Sequence, residues 1–307
     1  MQHRELGRSG LKVSTIGLGC NNFGWLIDEA ASKEVIARAL DLGITFFDTA
    51  DVYGDSELVL GRAFAGKRDR VIIATKFGIA REGLGGGASR GYVLEAAERS
   101  LRRLQTDYLD VLYLHRPDPE TPMEETLRAF EDLQRQGKVR HAAASNMTPA
   151  LLQEADRIRQ AQQLRGFVAT QESYSLLERG IEKALLPVVE QLGLSLIPYF
   201  PLASGLLTGK YRRGVAPPEG TRLATWKNLA GGLTEQNFDR IEKLEAFAKA
   251  RGRTLVELAI AWLLHRPAVA SVIAGATKSA QLETNCRAVD WELAGAELAE
   301  IDRLAPA

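Results

Sequence analysis

The sequence predicts an α/β protein of the (β/α)8 TIM barrel class, with a β-hairpin ahead of the barrel and an extra helix after it. Two observations carry this expectation. Eight short apolar runs recur along the 307 residues, at 15–19, 44–47, 71–75, 109–114, 139–144, 167–170, 194–198 and 269–274. Most lack polar alternation, as strands buried on both faces do. Helical stretches separate the runs and no linker divides the chain, so the eight β/α units are expected to form one barrel domain over 1–307.

The elements are justified in order. HRELGRSGLKVS reads as a hairpin turning between Gly7 and Gly10. The helix VIARALDL stops at Gly43, and LPVVEQL stops at Gly193; a glycine there suits a left-handed helix end. Thr121-Pro122-Met123-Glu124 reads as a capping box with proline at the first helical position, and Thr148-Pro149 repeats half of it. Thr254 and Glu257 form a further box before AIAWLL. The tail LAGAELAEIDRLA has helical spacing at Leu293, Leu298, Ile301 and Leu304 and is expected to pack outside the barrel. A dinucleotide-binding open sheet is the rival. Its only phosphate-loop candidate, Gly17-Leu18-Gly19-Cys20-Asn21-Asn22, has asparagine at the third glycine position, and Asp48 lies too far on for the acidic partner.

Composition excludes several function classes. Lys+Arg and Asp+Glu number 39 each, so no global field favours nucleic acid or an anionic membrane. No apolar run reaches the ~18 residues of a bilayer span, and no leader pattern opens the sequence, so a cytoplasmic location is expected. Cys20 and Cys286 have neither disulfide nor metal-ligand spacing, and no metal site is expected. The glycine run at 83–87 lacks the Lys-Ser/Thr ending of a P-loop and reads as a mobile flap. His141 and His265 read as structural.

Chemistry enters at the strand ends. Asp48 and Tyr53 follow the second run, Lys76 the third and His115 the fourth. In a barrel of this class those ends converge at the C-terminal mouth. A phenol is a poor acid at neutral pH, and a neighbouring ammonium lowers its pKa. Tyr53 is thus expected to donate a proton, Lys76 to activate it, Asp48 to anchor the lysine, and His115 to orient a substrate oxygen. Singly each has a bland reading, as a turn cap, a packed ring or a solvated end. Four suitable groups ending three consecutive strands favour the joint one.

At these residues the chain resembles the aldo-keto reductases. The resemblance runs in order through GLGCNNFG, FFDTADVYG, ATKFG, DYLDVLYLH, GKVRHAAASN, TQESYSLL, YFPLASGLLTGKY and IAGATKSAQLETN. Within the family it is closer to the bacterial and potassium-channel β-subunit-like branch. The resemblance implies NADP(H) bound across the barrel mouth and a small carbonyl compound as substrate, with Asp48, Tyr53, Lys76 and His115 as the catalytic tetrad. It implies cofactor contacts from Gly19, Cys20 and Asn21 after the first strand, and from Asp48. Ser145, Asn146 and Gln171 are implied to hold the carboxamide, and Tyr199 to stack on the nicotinamide. Phe200, Pro201 and Leu202 are implied as further cofactor contacts, and Ser204, Gly205 and Lys210 as contacts of the pyrophosphate, in a long loop that folds over the cofactor. Gly275, Thr277, Lys278, Gln281 and Asn285 are implied at the adenosine end, where the threonine hydroxyl and lysine ammonium suit a 2′-phosphate. Thr284 departs from the glutamate of many relatives.

Trp25, Tyr53, Phe77, His115, Arg116 and Trp226 are expected to shape the substrate pocket, with Arg116 either receiving an anionic group or pairing with Asp118. The alternative function is an NADP(H)-binding redox sensor or regulatory subunit with slow or no turnover.

Overall fold

Eight parallel strands form a ring in the computed structural model, which describes residues 1–83, 85–225 and 231–307. A hairpin, β1 (His3–Glu5) and β2 (Lys12–Ser14), precedes β3 (Ile16–Gly19), β4 (Phe46–Asp48), β5 (Ile72–Phe77), β6 (Leu109–Leu114), β7 (Val139–Ser145), β8 (Phe167–Ser173), β9 (Ser195–Tyr199) and β10 (Val272–Gly275). The sheet runs β10-β3-β4-β5-β6-β7-β8-β9. A parallel bridge between Leu196 and Val269 completes the circle, with Leu196 N–H donating to the Ala268 carbonyl at 2.7 Å. The last strand is shorter than its apolar run predicts: regular pairing with β3 starts at Val272, because the residues before it turn to meet β9.

The helices are α1 (Glu29–Asp41), α2 (Ser56–Ala63), α3 (Arg90–Leu104), α4 (Met123–Arg135), α5 (Pro149–Ala161), α6 (Leu185–Gln191), the short α7 (Arg222–Thr225), α8 (Glu235–Lys249), α9 (Leu255–Leu264), α10 (Ser279–Arg287) and α11 (Gly295–Leu304). Thr148 caps α5 with proline at its start, and Thr254 with Glu257 forms a complete capping box on α9. The box expected at Thr121 does not form. The Thr121 hydroxyl is taken by Asp118 at 2.7 Å, and Pro122, in extended backbone, precedes the helix at Met123. The C-terminal helix buries Ile301 as its spacing requires.

Strand parity sorts the side chains into two layers. Phe46, Ala74, Val111, Tyr113, Ala143, Ala169, Ile197 and Ile273 pack inside the ring, together with Leu6 and Val13 from the hairpin, which plugs its floor. Ile73, Leu112, Phe130 and Trp262 belong to the larger layer between strands and helices. Gly7 permits the plug: its φ is +56°, and a Cβ there would lie 2.0 Å from the Val168 carbonyl oxygen. The described part of the 83–87 run is not a free flap. Gly85 pairs with Arg81, and Gly87 N–H donates to the Gly78 carbonyl at 3.0 Å. Among the described residues no helix is long and apolar enough to cross a membrane.

Candidate active site

The same parity that builds the inner core delivers polar groups to the mouth. Asp48, Lys76, His115, Ser145, Gln171 and Tyr199 each lie two residues beyond an inner-core residue, namely Phe46, Ala74, Tyr113, Ala143, Ala169 and Ile197. A strand repeats its facing every second residue, so each continues inward as the strand ends.

Asp48 and Lys76 form a fully buried ion pair at 2.5 Å, and the ammonium also donates to the Thr49 carbonyl at 2.8 Å. Asp48 accepts a second bond from Gln171 at 2.8 Å. The Lys76 ammonium lies 5.1 Å from the Tyr53 ring centre, and that ring meets His115 edge-on at 5.8 Å. The four groups are therefore together. Burial works to lower the Lys76 pKa, but Asp48 and Tyr53 more than offset it and the ammonium is held charged. For Tyr53 the expected sign reverses. Burial raises the phenol above its ordinary value and outweighs the pull of Lys76, so the phenol stays protonated. His115 is pushed down to about 3 by burial, with Lys76 and Arg116 adding to the effect, and its buried Nδ1 has no hydrogen-bond partner. It is a neutral imidazole across the physiological range.

A second group lies beside these four. Asn146, in a left-handed turn with φ 59°, donates to the His115 carbonyl at 2.9 Å and to Ser145 Oγ at 3.0 Å. It accepts from the Tyr199 hydroxyl at 2.7 Å, and Ser145 donates to the Gln171 carbonyl at 2.7 Å. The amides expected to grip a carboxamide are thus already ordered, Asn146 by His115, Ser145 and Tyr199 and Gln171 by Asp48.

Beyond β9 the chain passes through positive φ at Phe200, Ala203, Ser204 and Gly205. The Lys210 ammonium closes over this stretch, since a Cβ at Gly205 would lie 3.0 Å from it. A cation over left-handed backbone suits a diphosphate. Pro201 is buried, whereas Phe200 is 37% exposed. At the far end, Gln281 reaches back from α10 to accept from Thr277 N–H at 2.8 Å and Lys278 N–H at 3.2 Å. Lys278 is exposed and has no ion pair among the described residues, and Asn285 is buried. Gly275 is exposed where β10 ends, and a side chain there would approach Asn21 and Asn22. Thr284 bonds to its own helix at the Ala280 carbonyl. Gly19 and Cys20 are buried; the Cys20 thiol donates to the Leu18 carbonyl at 3.3 Å, its N–H to the Asp48 carbonyl at 2.8 Å, and its carbonyl accepts from Ser56 at 2.8 Å, while burial raises the thiol pKa.

Of the pocket residues, Trp25 is 53% exposed at the rim, near the Tyr53 turn, and its indole donates to the Asn21 carbonyl. Arg116 is exposed and does not pair with Asp118, whose carboxylate is taken by Ala88 N–H, Glu120 N–H and the Thr121 hydroxyl. Phe77 does not line the mouth. Lys76 points inward, so the next residue points outward, and Phe77 is buried against Phe130 and Tyr92. Trp226 lies outside the described residues.

Two buried acids with no ion pair among the described residues escaped the sequence reading. Asp51, in the turn before Tyr53, is 5% exposed with neither oxygen bonded, and burial, with Glu57 adding to it, drives its carboxyl to about 7 against the pull of Arg99. Glu172, next to Gln171, is driven by burial to about 7 despite bonds from Thr170 and Met147. An acid within an otherwise apolar or amide-bearing strand end, as in ATQES, is the signal that points to the second; the first has none.

The sequence model described as the Aldo/keto reductase family matches residues 15–306. A probable voltage-gated potassium channel subunit beta of Arabidopsis thaliana is 38% identical over 300 residues, covering 94% of this chain and 92% of the relative. An L-glyceraldehyde 3-phosphate reductase of Escherichia coli (strain K12) is 36% identical over 321 residues, covering 99% and 92%. A probable aldo-keto reductase 1 of Glycine max is 34% identical over 318 residues, covering 100% and 89%.

Proposed function

The chain belongs to the aldo/keto reductase family of oxidoreductases, whose members reduce carbonyl groups with NAD(P)H, and from that premise we propose that it uses NADPH to convert aldehydes or ketones to alcohols with Tyr53 as proton donor. The observation that carries this reading is the cluster of Tyr53, His115 and the buried Asp48–Lys76 pair at one barrel mouth.

The residues present fit the cofactor. Ser145, Asn146, Gln171 and Tyr199 offer hydroxyl, amide and ring surfaces for a carboxamide-bearing ring, and Lys210 over Ser204–Gly205 offers a cation for the diphosphate. Lys278, beside the start of α10, supplies a charge for the 2′-phosphate that distinguishes NADPH from NADH. When bound, the cofactor supplies the hydride. Tyr53 holds its proton through neutral pH and gives it to the developing alkoxide, and the adjacent Lys76 ammonium stabilises the phenolate left behind. Asp48 keeps that ammonium charged and in place. His115, neutral and edge-on to Tyr53, orients the substrate oxygen without competing for the proton.

One relative is named for a phosphorylated aldehyde, L-glyceraldehyde 3-phosphate. Arg116, exposed beside His115 with no ion pair among the described residues, suits an anionic substrate group of that kind. The relatives named as potassium channel subunits favour a second reading, an NADP(H)-binding regulatory subunit with slow turnover. NADPH oxidation by wild type and Tyr53→Phe, with a panel of neutral and anionic aldehydes and ketones, tests both. Turnover lost in Tyr53→Phe with NADPH binding retained supports the reductase. Tight NADPH binding by wild type with no carbonyl reduced moves the regulatory reading ahead.

A further inference from the structure

Glu172 is one residue beyond Gln171 on β8 and shares the opposite, outward face with Thr170. It is 5% exposed. Its Oε1 accepts from the Thr170 hydroxyl at 2.5 Å and from Met147 N–H at 2.9 Å. That second donor is the first amide after Asn146, whose φ of 59° a non-glycine residue holds only at some energetic cost. Asn146 in turn holds the His115 carbonyl, Ser145 and the Tyr199 hydroxyl. An unbroken line of hydrogen bonds and covalent backbone therefore runs from a buried acid, through a strained turn, to the histidine and the ring-bearing tyrosine.

The charge of that acid is not cancelled locally. No lysine or arginine pairs with Glu172 among the described residues. The charged and titratable groups at this mouth are the Tyr199 phenol on β9, which Glu172 helps to push up, Arg116 and Glu178, which act on the same phenol, and Tyr53 with Asp48, Lys76, His115 and Asp51 around it. Of the carboxylates among them, Glu172 is the one bonded to the backbone of the Asn146 turn.

We propose that Glu172 is a positioning residue for the nicotinamide clamp, and that its carboxylate favours the positively charged oxidised ring over the neutral reduced ring. The proposal rests on the NADP(H) reading above. The two cofactor states differ by one positive charge at the ring, and in a poorly solvated site an unpaired carboxylate discriminates between them through that charge alone. By linkage, the oxidised cofactor binds more tightly as Glu172 loses its proton, whereas the reduced cofactor is indifferent.

The test is the dissociation constant of NADP+ and of NADPH, read by protein fluorescence quenching between about pH 6 and 8.5, for wild type, Glu172→Gln and Glu172→Ala. The ratio of the two constants is compared, so the titration of the shared 2′-phosphate cancels. In wild type the ratio shifts toward NADP+ by about threefold or more across the range, the size expected of a charge pair separated by a few side chains. Glu172→Gln keeps an acceptor for Thr170 and Met147 but carries no charge, so its ratio is flat. Glu172→Ala, shown folded by circular dichroism, weakens both nucleotides because the Asn146 turn loses its support. A ratio that still shifts in Glu172→Gln, or a Glu172→Ala protein that binds both nucleotides like wild type, overturns the proposal. If wild type binds neither nucleotide, the cofactor reading falls and this inference with it.

Discussion

Gln171 Nε2 donates to Asp48 Oδ2 at 2.8 Å across the inside of the barrel. The two residues lie near the C-terminal ends of β8 and β4, which stand four places apart in a ring of eight and so face one another across the mouth. The other Asp48 oxygen holds Lys76. One carboxylate thus ties three strands and leaves the ammonium fixed beneath Tyr53.

Breaking this pair leaves a buried charge without its partner. Lys76→Met is expected to cost about 3–5 kcal/mol in urea unfolding, since Gln171 remains as the neutral side-chain donor to Asp48. Adding Asp48→Leu to that variant removes the orphaned charge and recovers part of the loss. If the double variant is destabilised by the full sum of the two single losses, the ion pair is not what holds this part of the mouth.

Asp51 makes stability depend on pH with a defined sign. Its folded pKa, about 7, lies well above the ordinary value of an aspartate, so the folded state retains a proton that the unfolded chain releases. Stability from this group is complete below about pH 4, declines as pH rises to about 7, and is level above. Asp51→Asn removes that decline. Its melting temperature relative to wild type should rise between pH 4 and 7 and exceed wild type by at least about 3 °C at pH 8. Glu172 titrates in the same window in both proteins and drops out of the difference. A gap that does not widen with pH sinks the assignment.

The barrel was legible because a parallel strand buried on both faces leaves an unbroken apolar run, and eight such runs are hard to place otherwise. Asp48, Lys76 and His115 were legible as polar residues ending those runs. Phe77 was misplaced although the signal was present: strand alternation sends it outward once Lys76 points inward. Asp51 was not legible as a buried acid, because its burial depends on which helices and turns cover the strand end and no local pattern encodes that, whereas Glu172 left one unused signal, an acid within the strand end ATQES. The sign of the Tyr53 shift failed for the same reason, since the depth of burial decides it.

His115 gives a pH prediction of the opposite kind. With its pKa at about 3, it does not change charge between pH 5 and 8. The dependence of kcat/KM on pH should therefore show no inflection near 6.5 from this group, while His115→Ala should lower kcat by about 10²-fold or more, as loss of a hydrogen-bonding group at the reacting oxygen does. An inflection near 6.5 that disappears in His115→Ala contradicts the neutral imidazole.

Phe77 separates a core role from a pocket role. It is fully buried, with ring neighbours at 5.7 Å and 6.4 Å. Phe77→Ala should cost about 3–5 kcal/mol in denaturant unfolding and leave KM values for a series of carbonyl substrates in their wild-type order. Reordered KM values with little loss of stability would return the ring to the pocket wall.

Lys278 supplies the last discrimination. The start of α10 already spends the Thr277 and Lys278 amides on Gln281, so the exposed ammonium of Lys278 is the group left to read a 2′-phosphate there. Lys278→Met removes one charge-assisted contact, worth about 1.5–3 kcal/mol, from NADPH and none from NADH. The dissociation constant for NADPH should accordingly rise about tenfold or more while that for NADH stays within about twofold, the former being the conversion of that energy. Restoring charge with Lys278→Arg should recover most of the NADPH affinity, because a guanidinium also binds phosphate. Equal losses for the two nucleotides in Lys278→Met remove this residue from the phosphate site and leave the NADPH preference to be sought in the 200–210 stretch, where Lys210 is the remaining cation.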